Sequence, residues 1–194
     1  MEHGNKLINY LLSLTSLSEE MAEVILEQSE SKKLGKGETY CVKGQPQTKM
    51  GFLAEGILRI YDIDEAGNQW NKVLLTPPNL VLGNVNFLEN TVHYIDALTD
   101  CELLEFPLNF LQKLMEEHPQ FQLVQSKLLL NMFETKSERE SDFLTLNAAE
   151  RYEKFLLTHA HIKDQIPQFH IASYLGITPT QLSRIRFTHR NQQM

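Results

Sequence analysis

The chain has 194 residues, 42% of them hydrophobic and 22% charged, which is enough for one or two domains with proper cores. No run of about 18 apolar residues occurs, so a membrane-spanning helix is excluded. The two cysteines, Cys41 and Cys101, lie far apart without a CxxC, which leaves a disulfide framework, a structural zinc site or a four-cysteine iron–sulfur cluster without its ligands. The net charge of -7 is unevenly held: residues 1–150 carry 12 Lys/Arg against 23 Asp/Glu, residues 151–194 carry 6 against 2. A positive terminal segment can meet phosphates while the acidic remainder serves another purpose, so the asymmetry predicts two domains with different partners. MEHGNKLINY has no basic lead before a short apolar block, so no signal peptide is expected and two free thiols fit a reducing cytoplasm.

In chain order, residues 5–29 read as helical, with Leu7, Ile8, Leu11, Leu12 and Leu14 as one apolar cluster. After Thr15 and Ser16 a second cluster begins, Ser18 serving as N-cap and Met21, Val24 and Ile25 continuing the face. From Lys33 turn signals recur every few residues, and between them lie short β-rich runs: Glu38–Val42, Met50–Ala54, Ile57–Tyr61, Gln69–Leu75, Leu80–Leu82, His93–Leu98 and Cys101–Phe106. That spacing predicts an antiparallel sandwich or barrel, with Glu65–Asn68 as a hairpin tip. Helical texture returns at Leu108–Glu117, stops at Pro119 and resumes to about Leu144. Phe121, Val124, Leu128, Met132 and Phe133 form an apolar stripe on this long helix, which can pack on its own β-domain or, the favoured reading, serve as a seam for a second copy of the chain. Asn147 caps the next helix, Ala148–His159, with Glu150 as its third residue.

The segment from Gln168 to Phe187 has the most specific pattern. Ile171 and Leu175 make a short amphipathic helix, and Gly176 can take the left-handed backbone that ends it. Thr178 then suits an N-cap, Pro179 the first helical position, and Gln181 the third residue of a capping box. Small Ala172 permits close approach, while Leu182 and Ile185 face inward. This is the design of a helix-turn-helix, whose second helix lies in a DNA major groove. At 100° per residue Thr180, Ser183, Arg184 and Phe187 face outward, flanked by Gln181. Arg184 is the candidate for a bidentate guanine contact. Arg186, His189, Arg190 and, at the start of the first helix, Gln168 are candidate phosphate contacts.

The order of N-terminal helices, β-roll, long helix and helix-turn-helix head resembles the Crp/Fnr superfamily of bacterial transcription regulators. Ala148-Ala149-Glu150-Arg151-Tyr152, Ile171 to Pro179, and Leu182-Ser183-Arg184-Ile185-Arg186 look like a branch common among Bacteroidetes. The resemblance implies an α+β chain: a cyclic-nucleotide-binding-like sensor over 1–118, a dimerisation helix over 119–146 and a DNA-binding head over 147–194. It also implies a homodimer, double-stranded DNA as partner and a possible small-molecule effector, with no enzymatic activity and no bound cofactor. Members that bind cyclic nucleotides carry a Gly-Glu pair and then Pro-Arg-x-Ala/Ser. Here the corresponding stretches read Gly83-Asn84 and Asn90-Thr91-Val92-His93, without either charged group. The implied effector pocket therefore consists of Leu82, Gly83, Asn84, Thr91, His93 and Tyr94, and cyclic AMP is not expected to bind tightly. The chain ends eight residues after Arg186, too soon for the β-wing that often follows the recognition helix.

Two other readings remain open at this point. In one, the head is degenerate and the protein is a sensor or scaffold that binds protein. In the other, the β-domain is a cupin-like enzyme, which needs clustered His and carboxylate ligands where the strands offer only His93. His159 and His161, two apart near a helix end, read as exposed polar residues and not as a metal site.

Overall fold

The computed structural model describes residues 2–14, 17–86 and 89–192. Thr15 and Ser16, where the first helical cluster was read to end, and the last two residues of the short tail lie outside them. Among the described residues there are seven α-helices, eight strands and one 3-10 turn. The helices are α1 (Glu2–Leu14), α2 (Glu19–Glu27), α3 (Leu108–Glu117), α4 (Pro119–Thr145), α5 (Ala148–His159), α6 (Gln168–Leu175) and α7 (Pro179–Gln192). The strands are β1 (Glu30–Leu34), β2 (Thr39–Cys41), β3 (Lys49–Glu55), β4 (Leu58–Ile63), β5 (Gln69–Leu75), β6 (Asn79–Val81), β7 (Tyr94–Ala97) and β8 (Cys101–Pro107). They form two four-stranded sheets, ordered β1-β8-β3-β6 and β2-β7-β4-β5. This is the antiparallel β-roll with flanking helices, followed by a helical C-terminal part, that the sequence predicts. No helix among the described residues is long and apolar enough to cross a membrane.

The fold divides into two compact units, Met1–Ile60 with Leu75–Phe133, and Tyr61–Leu74 with Glu134–Met194. In the first, β3 and β8 are the central pair, with Phe52 opposite Leu104 and Met50 opposite Phe106. Phe52, Leu53, Leu103 and Phe106 are at most 1% exposed, which is how a strand buried on both faces reads as a nearly continuous apolar run. Helices α1, α2, α3 and the start of α4 close over this pair through Leu7, Leu11, Ile25, Leu111, Leu114, Phe121 and Val124.

Two sequence expectations change here. Residues 30–34, ESKKL, were not read as a strand, yet they form β1 at the sheet edge, in register with β8 from Glu30–Glu105 to Leu34–Cys101. Four of the five residues are exposed, so no apolar alternation marks the strand; a charged edge discourages pairing with other chains, and Lys33 reaches Glu102 across the ladder at 2.7 Å. The second concerns the dimerisation seam. Phe121 and Val124 are 4% and 6% exposed inside a single chain, and Leu128 is partly buried against the same core. The first half of the stripe thus covers its own β-roll. Its far end stays open, with Met132 and Phe133 44% and 69% exposed, as do Leu123 and Leu130 at 63% and 55%.

Candidate nucleic-acid interface and effector loop

In the second unit the local chemistry of the sequence is realised closely. Asn147 caps α5, its side chain accepting from the Ala149 and Glu150 amides, while Glu150 returns the bond to the Asn147 amide at 2.7 Å. Gly176 ends α6 at φ 68°, ψ 35°, and a Cβ there would also come within 2.7 Å of the Phe143 ring; both facts restrict the position to glycine. Thr178 accepts from the Gln181 amide at 3.1 Å, starting α7 at Pro179. Ile171 and Ala172 are fully buried, and Leu175 and Leu182 nearly so, which fixes α7 by one face and turns the other outward.

On that outward face Thr180, Gln181, Ser183, Arg184, Phe187 and Arg190 are all exposed. Arg184 makes no ion pair among the described residues, and Phe187 is 69% exposed. The other candidate contacts are differently placed. His189 is half-buried and meets the Tyr152 ring edge-on, centroids 5.9 Å apart. Arg186 lies 3.4 Å from Asp164. The two residues fall four and seven positions from buried Leu182, on the inward flank of the helix. Gln168 is half-buried with its amide donating to the Lys163 carbonyl at 3.0 Å, so its side chain holds a turn. No strand follows α7 among the described residues, which stay helical to Gln192.

The same unit contains a buried polar network that the sequence did not reveal. Hairpin Tyr61–Leu74 lies against α6. The Asn71 amide donates to Ser173 Oγ at 2.9 Å, Ser173 Oγ donates to the Gln69 carbonyl at 3.2 Å, and Asn71 Nδ2 donates to the His170 carbonyl at 3.0 Å. Asn71 and His170 are 3% and 8% exposed. Arg139 of α4 joins them, donating to the carbonyls of Asn71 and Tyr174 and lying 4.0 Å over the Tyr174 ring. Burial holds its guanidinium pKa below the ordinary value. A cation held by carbonyls and a ring face ties three elements together. Asp64 stabilises the hairpin tip, accepting from the Ala66 and Asn68 amides and from the Trp70 indole at 2.9 Å; the indole and the Asn68 contacts lower its pKa to about 2. His159 is half-buried and stacks on Phe155, ring planes 3° apart, while His161 alone of that pair is exposed. No group of three or more His, Cys, Asp or Glu suited to a metal occurs among the described residues.

The candidate effector loop, in the first unit, is held among its described residues by hydrogen bonds to nearby backbone and to Gln47. The Gly83 and Asn84 amides both donate to Gln47 Oε1, at 2.7 and 3.0 Å. A Cβ on Gly83 would meet Thr91 Cγ2 at 2.6 Å. The Asn84 side chain donates to the Asn90 carbonyl at 2.9 Å and accepts from the Asn86 amide at 3.0 Å. Thr91 donates to the carbonyls of Val42 and Gln45. Asn84 and Thr91 are 9% and 4% exposed. Leu82 is half-buried and packs against the apolar core, and His93 and Tyr94 are half-buried where β7 begins. Of the charged groups in this unit, Arg59 is 7% exposed and lies 2.9 Å from Asp96. Gln47 lies 36 residues before Gly83, which is why no local pattern pointed to it.

Residues 31–118 match the cyclic nucleotide-binding domain family. No curated protein matches the sequence, but solved structures do. FixK2 from Bradyrhizobium japonicum superposes with a TM-score of 0.74 at 16% identity, over 85% of this chain and 86% of that one. A transcriptional regulator of the Crp/Fnr family from Eubacterium rectale gives 0.72 at 17%, over 91% and 85%. The c-di-GMP-responsive global regulator CLP from Xanthomonas campestris gives 0.69 at 14%, over 91% and 93%. Identities this low speak for the fold, and the domain match speaks for the roll. Residues 31–118 thus match the cyclic nucleotide-binding domain family, and the chain as a whole has the fold of these solved structures.

Proposed function

We propose that the chain is a DNA-binding transcription regulator that acts as a homodimer, with α7 as the helix that enters the major groove. The observation that carries this reading is the outward face of α7: a helix anchored by Leu182, started by Thr178 behind left-handed Gly176, leaves Thr180, Ser183, Arg184 and Phe187 open. A selection of binding sites from random duplex DNA tests it. Arg184→Ala is expected to cost about 1–3 kcal/mol and to relax one position per half-site, whereas Arg190→Ala weakens all sequences alike. No enrichment of any sequence by the wild-type chain would overturn the reading.

Dimerisation is assigned to the open side of α4. Leu123, Leu130 and Phe133 stand at steps of seven and three, the spacing of a coiled-coil seam. Leu130→Glu with Phe133→Glu should give a monomer by light scattering, because charges in a water-excluding seam are costly. The sensor reading is that cyclic AMP does not bind tightly. Asn84 and Thr91 stand where an acid and an arginine would hold ribose and phosphate, and both already serve the loop's own backbone. Losing each charge-assisted bond costs about 1.5–3 kcal/mol, so calorimetric titration should return a dissociation constant weaker than about micromolar.

A further inference from the structure

Between the turn after α5 and one flank of α7 lies a cleft of about 550 Å3. Its floor is apolar, formed by Tyr152, Leu156 and Pro179, and Lys163, Arg186 and Arg190 line it from two different elements. Lys163 is presented by a turn that Gln168 pins through its 3.0 Å bond to the Lys163 carbonyl. Neither Lys163 nor Arg190 makes an ion pair among the described residues, whereas Arg186 lies 3.4 Å from Asp164, whose side chain is 69% exposed. Gln168, which lines the cleft, is also the first residue of α6, a helix start with no side-chain cap. Unpaired backbone amides at helix starts favour negative charge. Ser183 and Phe187, from the outward face of α7, line the cleft as well, so it opens on the side proposed to meet DNA.

We propose that this cleft seats a phosphate of the DNA backbone bordering the groove, held by Lys163 and Arg190, with Asp164 as the internal competitor for Arg186. The inference rests on the reading of α7 as the groove helix and adds to it a contact outside the helix-turn-helix and an acidic group that opposes binding. The apolar floor suits the sugar between two phosphates. The cations suit the phosphate itself, which needs charge without base identity. Asp164 occupies Arg186 in the free protein, so the backbone must displace a carboxylate before it gains that arginine.

The test is the salt dependence of binding to a random-sequence duplex pool, read by fluorescence anisotropy on the full chain between about 50 and 200 mM salt. Lys163→Ala is expected to lower the slope of log affinity against log salt by about two, one phosphate contact from each protomer of the dimer. Lys136→Ala removes an equal charge from α4, outside the cleft, and should leave the slope unchanged. Asp164→Asn is expected to tighten binding, by about threefold to tenfold, because a carboxylate beside the backbone repels it. Thermal melts establish that each variant is folded. If Lys163→Ala and Lys136→Ala behave alike, or Asp164→Asn leaves affinity unchanged, the phosphate seat is overturned while DNA binding stands. If the wild-type chain shows no salt-dependent binding, both this inference and the regulator reading fall.

Discussion

The candidate effector loop and the outward face of α7 are both rich in uncharged polar side chains, and they treat them in opposite ways. In the loop, Asn84, Thr91 and Gln47 are turned inward, and each bonds backbone groups of the loop or of the strands beside it. On α7, Thr180, Gln181 and Ser183 are turned outward among exposed Arg184 and Arg190. A buried polar group that has found its partner is a structural element, because water and ligands can offer it little more. An exposed polar group on a rigid helix remains available for recognition. The difference teaches that residue type alone does not mark a site in this chain. What matters is whether the fold has already supplied the partner.

The largest effect should come from opening the loop. Gln47→Leu removes one acceptor from two buried amides, each costing about 1–3 kcal/mol when left unpaired. Urea denaturation of the full chain should show that loss, with DNA affinity per folded molecule unchanged. Gln47→Glu, which keeps an acceptor oxygen, should recover most of it. A Gln47→Leu protein as stable as the wild type would show that the loop's closure contributes nothing. Arg184→Ala sharpens the contrast from the other side: it removes an exposed group, so it should move stability by less than about 0.5 kcal/mol while weakening operator binding.

A smaller loss is expected from the network between hairpin Tyr61–Leu74 and α6. Asn71→Ala leaves the His170 carbonyl without its 3.0 Å donor, at a cost of about 1–3 kcal/mol. Hydrogen exchange should speed up along α6, with β3 and β8 unaffected. Uniform exchange across both units would mean that the network does not act locally.

The parts of the molecule that could be read from sequence are those whose cause lies within four residues. Asn147 with Glu150, Thr178 with Gln181, and Gly176 ahead of Thr178 each satisfy backbone groups of their own helix end, so the signal and its cause sit together. The strands were found where burial on one face or both leaves an apolar run, and β1 was missed because an edge strand of Glu, Ser and Lys carries no such run. The polar contacts of Asn71 span about a hundred residues and those of Gln47 about thirty-six, and nothing local foretells either. The stripe on α4 was visible as a stripe. Phe121 and Val124 enter the core of their own unit while Met132 and Phe133 stay exposed, a division no local pattern shows, because an apolar face does not name its partner.

The smallest expected effect concerns pH and tests whether the head, too, contains committed polar groups. His159 is half-buried, stacked on Phe155 with Tyr174 5.7 Å away. Burial, and after it repulsion from His161 and Arg139, hold its pKa below the usual 6.5, against a weaker opposing contact with the Leu74 backbone. The unfolded chain therefore takes up this proton at a higher pH than the folded one. Stability from the neutral ring is complete above 6.5 and declines as the pH falls through that value towards the lower folded pKa. The ring is partly open to water, so the decline should be shallow. Urea midpoints measured between about pH 7.5 and pH 5.5 should fall for the wild type and fall less for His159→Phe, which keeps the stack and loses the proton. Equal slopes for the two proteins would mean that burial does not hold the proton off His159, and that the stack does not exclude water.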